Sequence, residues 1–147
     1  MSHMTINLKT LTFDGSGRGE KNEFTYRGHY EERGSVCRLL WQREEEGVLT
    51  RTVLSFDKAA PAAVCMQQTG GCISSMHFAP GETKESHNAV PGAGECLLSL
   101  QTERVENTLT REGGRLYLAY EMHLGGERQR ILLTLTAGAE GENPPLL

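Results

Sequence analysis

Residues 115–124 read RLYLAYEMHL. Leu116, Leu118, Tyr120, Met122 and Leu124 recur at every second position, with Arg115, Tyr117, Ala119, Glu121 and His123 between them. On a helix, side chains three and four apart share a face, so this run would scatter its apolar members around the axis. On a strand, successive side chains point to opposite faces, and the run separates into one apolar and one largely polar side. The stretch therefore predicts a half-buried strand, and its period sets the fold class.

The same period extends in both directions. Ile6 and Leu8 open a first strand whose phase slips before Leu11 and Phe13, which predicts a bulge there. Phe24, Tyr26, Gly28 and Tyr30 share one face of a second strand. Residues 35–43, SVCRLLWQR, are apolar on both faces and predict a strand covered on both sides. Further strands are predicted over 48–56, 62–68 and 72–79, then around Cys96, Leu98 and Leu100, around Val105 and Leu109, and around Ile131, Leu133 and Leu135. Glycine-rich breaks separate them, at 14–19, 33–34, 46–47, 70–71, 113–114 and 125–126. Glycine supplies the positive φ that tight hairpin turns require. One stretch lacks the period: residues 80–94, PGETKESHNAVPGAG, read as a long polar loop at the mouth.

Strands at this spacing predict an all-β domain of about 8–10 strands. Short turns make consecutive strands neighbours, and closing the sheet removes its two unpaired edges. The expected fold is an antiparallel up-and-down β-barrel. A single domain is expected over residues 5–137, with a flexible tail over 138–147. Met1 to Met4 read as a cloning remnant, which sets His3 aside.

Composition narrows the function classes. The net charge is −4, and Arg128 with Arg130 is the only dense basic pair, so no nucleic-acid partner is expected. There is no apolar run long enough for a membrane helix and no leader-like segment, so no membrane partner and a cytoplasmic location are expected. Cys37, Cys65, Cys72 and Cys96 form no C-x-x-C pair and read as small buried hydrophobes within strands.

Residues 114–123, GRLYLAYEMH, resemble the YwiB-like bacterial domains of unknown function, which are lipocalin- or calycin-like barrels. The segments at 78–81 and 91–94 are similar to that family as well, and the resemblance runs from about Ile6 to Ala137. It implies a barrel fold, and the family carries no recorded activity. Two departures stand out. Gln68 occupies a position where the resemblance leads one to expect Arg, and His87 or Asn88 one where it leads one to expect Tyr. The Gly-x-Trp signature and C-terminal helix of true lipocalins are absent from the sequence pattern, and lipocalin function is not inherited.

Three constellations carry chemistry. Arg115, Tyr117, Glu121 and His123 share one strand face. A carboxylate two residues from an imidazole orients it and raises its pKa, which makes an acid–base pair if that face lines the lumen. On an exposed wall the same residues are only solvated side chains. Tyr26, Tyr30, Trp41, Phe78, Tyr120 and Met122 are expected to line an apolar cavity for one small ligand, the alternative being that they fill the interior. His77, His87 and Cys72 match no recurrent metal-ligand spacing, and no metal is predicted. The Gly15-x-Gly17-x-Gly19 run lacks the Lys-Ser/Thr pair and following helix of a phosphate loop, and no cofactor is predicted. Three functions remain, in descending order: a barrel binding a small apolar or amphipathic molecule, a homodimeric or partner-binding module, and a barrel enzyme.

Overall fold

The computed structural model describes residues 2–90, 92 and 94–139. They form ten strands: β1 (Ser2–Phe13), β2 (Gly19–Arg33), β3 (Val36–Glu45), β4 (Val48–Asp57), β5 (Ala60–Gly70), β6 (Ile73–Phe78), β7 (Thr83–Val90), β8 (Gly94–Asn107), β9 (Gly113–Leu124) and β10 (Glu127–Ala139). Each strand pairs with its neighbours in sequence, and β1 pairs with β10 to close the barrel. All pairings are antiparallel, so the all-β meander read from the alternating pattern is the observed fold.

One parity per strand points inward. Met4 and Ile6 of β1, Leu39 of β3, Leu54 of β4, Leu100 of β8, Leu116 and Leu118 of β9 and Leu135 of β10 are completely buried. With Tyr30, Trp41, Phe56, Met66, Phe78 and Tyr120 they make one contiguous core. The outer wall carries Lys9, Glu23, Arg38, Arg51 and Arg128, the reverse of a membrane-spanning barrel with its apolar outer band. Among the described residues no helix is long and apolar enough to cross a membrane.

Several local expectations are corrected. β1 has no bulge: its register with β2 and β10 is unbroken, and Leu11 and Phe13 lie on the outer face. The two irregularities fall between Phe56 and Asp57 and between Thr102 and Arg104. The second explains why the inward phase changes between Leu100 and Val105. Residues 2–4 belong to β1, and Met4 is fully buried between β2 and β10. β3 is not covered on both sides; Cys37, Leu39 and Trp41 point in, whereas Val36, Arg38 and Gln42 are exposed. Cys72 lies between strands and Cys96 is exposed. Gly138 and Ala139 extend β10; the rest of the expected tail lies outside the described residues.

The largest correction concerns residues 80–94, whose middle is the strand β7. Its inward side chains are Ser86, which is buried, and Asn88. With polar residues on the lumen side, hydrophobic alternation gives no signal, and the strand looks like a loop.

The two ends of the barrel differ. At the end holding the β8–β9 connection, Leu109 is buried against the core and plugs the lumen. Gly114, at φ 141°, makes this crossing feasible, since a Cβ there would meet the Thr108 carbonyl oxygen at 2.3 Å. Glu32 straps the plug down: its carboxylate accepts from Lys58 Nζ at 2.6 Å, from Arg111 at 3.0 Å and from the Tyr30 hydroxyl at 3.0 Å. The Lys58 and Arg111 partners, together with Tyr30, hold the Glu32 carboxyl down at about 2, against an ordinary 4.5.

Two outcomes follow. Gly28 packs where a Cβ would lie 2.3 Å from the Leu40 carbonyl oxygen and 2.6 Å from Ile6 Cδ1. Because one of these atoms is backbone, Gly28→Ala is expected to cost about 1–3 kcal/mol in urea unfolding, and an unchanged midpoint contradicts the close approach. The contribution from Glu32 is present above its unfolded pKa and is lost as pH falls from 4.5 towards about 2. Glu32→Gln is therefore expected to flatten the fall in stability over that window, measured by urea unfolding at stepped pH.

Candidate functional site

The inward parity sorts the sequence-predicted residues into two places. Arg115, Tyr117, Glu121 and His123 stand on the outer face of β9, opposite Leu116, Leu118 and Tyr120. Glu121 Oε2 lies 3.3 Å from His123 Nε2 and 3.7 Å from Arg128 Nε. The Arg104 guanidinium sits 5.8 Å from the centre of the Tyr117 ring. The carboxylate and imidazole are within reach of each other, but on the outer wall rather than in the lumen.

The predicted ligand-lining set points inward. Tyr30, Trp41, Phe78 and Tyr120 are buried in the packed core, and Tyr26 and Met122 pack partly buried against it. Phe78 and Tyr120 meet at 4.7 Å between ring centres. Burial pushes the Tyr120 hydroxyl up to about 12 and, aided by Cys37 and Glu32, raises that of Tyr30 further. Both phenols therefore stay protonated near neutral pH.

The open end has a different lining. Trp41, Thr52, Gln68, Ser74, Asn88 and Cys96 are direct partners across successive strands, one continuous row along the inner wall from β3 to β8. Thr50, Thr52, Ser74 and Ser86 are all buried. Ser74 donates to Gln68 Oε1 at 3.3 Å, Asn88 Nδ2 to Ser86 Oγ at 3.2 Å, and Ser86 Oγ to the Ser75 carbonyl at 2.8 Å. A buried hydroxyl or amide without a partner costs a few kcal/mol, so a core selected only for stability would not gather them. Gln68 and Asn88 flank Ser74 in this row.

Beside the row, the wall is split. β2 and β3 pair from Gly28–Trp41 to Arg33–Val36, and the ladder stops there. Beyond it, residues 19–27 follow β1 and residues 42–45 follow β4. Phe24 stacks on Tyr26 at 6.1 Å and Tyr26 on Trp41 at 6.2 Å, with interplanar angles of 20° and 18°. Arg43, two residues beyond Trp41, continues its inward phase and has Glu45 at 4.0 Å. On the β4 side of Arg43, away from β2, lies a cleft of about 570 Å³ lined by Arg43, Glu45, Glu46, Val48, Thr50 and Gly71. That volume suits a small ligand.

Two other clefts exist. One of about 410 Å³ on the outer wall contains Cys65 and His77, whose sulfur and Nε2 are 3.9 Å apart. Burial raises the Cys65 thiol, which keeps it protonated and a poor nucleophile. The other, about 490 Å³, lies over the plug beside Tyr30 and Leu109. Among the described residues, no group of three or more His, Cys, Asp or Glu is arranged to hold a metal ion.

Sequence reasoning missed Arg43, Thr52, Ser74 and Asn88. For Arg43 the available signal was phase, since it is a polar residue where its strand's period points inward, whereas β7 has no alternation by which to place Asn88.

The comparisons with known proteins agree with this architecture. Residues 6–132 match the family model described as a domain of unknown function, DUF1934. The uncharacterized beta-barrel protein YwiB of Bacillus subtilis is 24% identical over 128 residues, covering 87% of each chain. The crystal structure of that organism's ywiB protein superposes with a TM-score of 0.79 at 22% identity, over 94% of this chain and 93% of the other. The match over most of the barrel means that this chain belongs to the DUF1934 family of YwiB-like β-barrels.

Proposed function

We propose that this lipocalin-like barrel binds a small apolar or amphipathic molecule at its open end, in the cytoplasm, where its four cysteines stay reduced. The observation that carries the reading is the division of the inner wall. One end is filled, Thr102 apart, with aliphatic and aromatic side chains and plugged by Leu109, while the other gathers Thr50, Thr52, Gln68, Ser74, Ser86 and Asn88 beside an aromatic stack. An apolar floor with a few placed polar groups is the usual composition of a ligand site. The acid–base reading draws no support from Glu121 and His123, which face solvent on the convex wall.

Native mass spectrometry of protein purified without denaturation tests it. Extra mass that disappears on unfolding is expected, and Tyr26→Ser is expected to lose that mass while its circular dichroism stays that of the wild type. A bare mass, together with no thermal shift from any amphipath tested, removes the reading.

A second reading, a homodimer, is favoured by the rim. Leu11, Phe24, Val48, Leu49, Ile73, Val90, Leu97 and Leu124 are exposed in the open half of the barrel, against Val36 alone at the other end among the described large apolar residues. A stable dimer needs about 1,000 Å² or more of buried surface. Sedimentation is expected to show a dimer that Ile73→Lys with Leu97→Lys dissociates, and a monomer at every concentration rules it out.

A further inference from the structure

The unused hydrogen-bonding groups of the inner row narrow the ligand class, granted the ligand-binding reading above. Part of the row serves the wall itself. The β6–β7 ladder holds only the pairs Ile73–Ala89 and Ser74–Asn88, and beside it Ser86 Oγ donates to the Ser75 carbonyl. Ser74 Oγ donates to Gln68 Oε1, and Asn88 Nδ2 to Ser86 Oγ. Three groups are then left over, none of which bonds another described residue: the N–H donors of the Gln68 amide, the carbonyl oxygen of the Asn88 amide and the hydroxyl of Thr52, a residue only 2% exposed. Thr52 and Gln68 are direct partners across strands, and Ser74 alone separates Gln68 from Asn88. The wall therefore presents spare donors and a spare acceptor close together, and a buried polar group without a partner is costly.

None of these groups carries a charge. The buried polar side chains of the described residues are all hydroxyls, those of Thr50, Thr52, Ser74, Ser86 and Thr102. A carboxylate taken into such a wall would lose its hydration without gaining a counter-ion. Arg43 offers no spare one, since its cleft on the β4 side also holds the carboxylates of Glu45 and Glu46. Lys84 is exposed and lines the outer cleft with Cys65 and His77. An uncharged group that both donates and accepts satisfies the leftover set without that cost. The adjoining surface suits an alkyl tail. One inward-facing step towards the plugged end from Gln68 and Ser74, Met66 and Met76 are direct partners of each other. Unbranched thioether side chains adapt their packing to an inserted chain.

We propose that the inner wall at Gln68, Ser74 and Asn88 recognises an uncharged amphipath with a carboxamide head group and rejects the carboxylate of the same chain length. Octanamide and octanoate, titrated at neutral pH into the isotope-labelled full chain and followed by amide correlation spectra, test this. Octanamide is expected to bind about tenfold more tightly than octanoate and to move the side-chain amide signals of Gln68 and Asn88. Gln68→Met combined with Asn88→Leu is expected to weaken octanamide about tenfold while the backbone spectrum stays that of the wild type. Octanoate binding as tightly as octanamide, side-chain amide signals that octanamide leaves unmoved, or a double variant that binds octanamide like the wild type overturns the assignment and leaves the amphipath reading standing. Binding of neither probe overturns both.

Discussion

Closure of the barrel rests on β1, which is hydrogen-bonded along nearly its whole length to β2 on one side and β10 on the other, with no register shift in either ladder. A strand fixed on both sides has no freedom to slip, and a slip of one residue would turn every side chain to the opposite face. That double constraint determines which residues enter the lumen. Met4 and Ile6 are sealed inside because their parity is set twice. Around the ring, each subsequent ladder inherits a phase, and only two irregularities interrupt it.

Within this frame, the lumen is not uniform. Apolar burial at the plugged end supplies the driving force for folding, at about 25 cal/mol per Å² of surface removed from water. The Glu32 cluster adds little by itself, since its partners Lys58 and Arg111 are largely exposed, but it fixes the position of the connection that carries Leu109. With stability secured at one end, the other end tolerates hydroxyls and amides in the interior, provided they bond one another, as Ser74 does with Gln68 and Asn88 with Ser86.

Nine of the ten strands were legible because at least one of their faces alternates or is continuously apolar. RLYLAYEMHL at 115–124 is the plainest case, and the outward placement of Glu121 and His123 follows from the same parity once Leu116 is known to be inside. β7 was illegible because its inward residues are Ser86 and Asn88, so polarity is the same on both faces. The candidate site was hidden for the same reason. Sequence reading searches for the core with hydrophobicity, and a polar patch of inner wall then resembles surface. Arg43 was the exception within reach, since it extends the phase of Cys37, Leu39 and Trp41 by one step. The slip read at Leu11 arose because exposed apolar residues near a rim mimic a change of phase.

The split between β2 and β3 also bears on motion. Above Gly28 and Trp41, alternate backbone amides of residues 19–27 have no ladder partner on the β3 side. Opening the wall there breaks few hydrogen bonds, whereas parting β1 from β10 breaks a full ladder. Local opening free energies follow such differences, so the barrel is compliant along this line and along β6–β7, whose ladder has only two pairs, and stiffer elsewhere. Amide exchange would be fast on that line and slow in β1, β9 and β10. Spreading of the β1–β2 and β3–β4 hairpins along the split would leave the continuous ladders of β1, β9 and β10 intact.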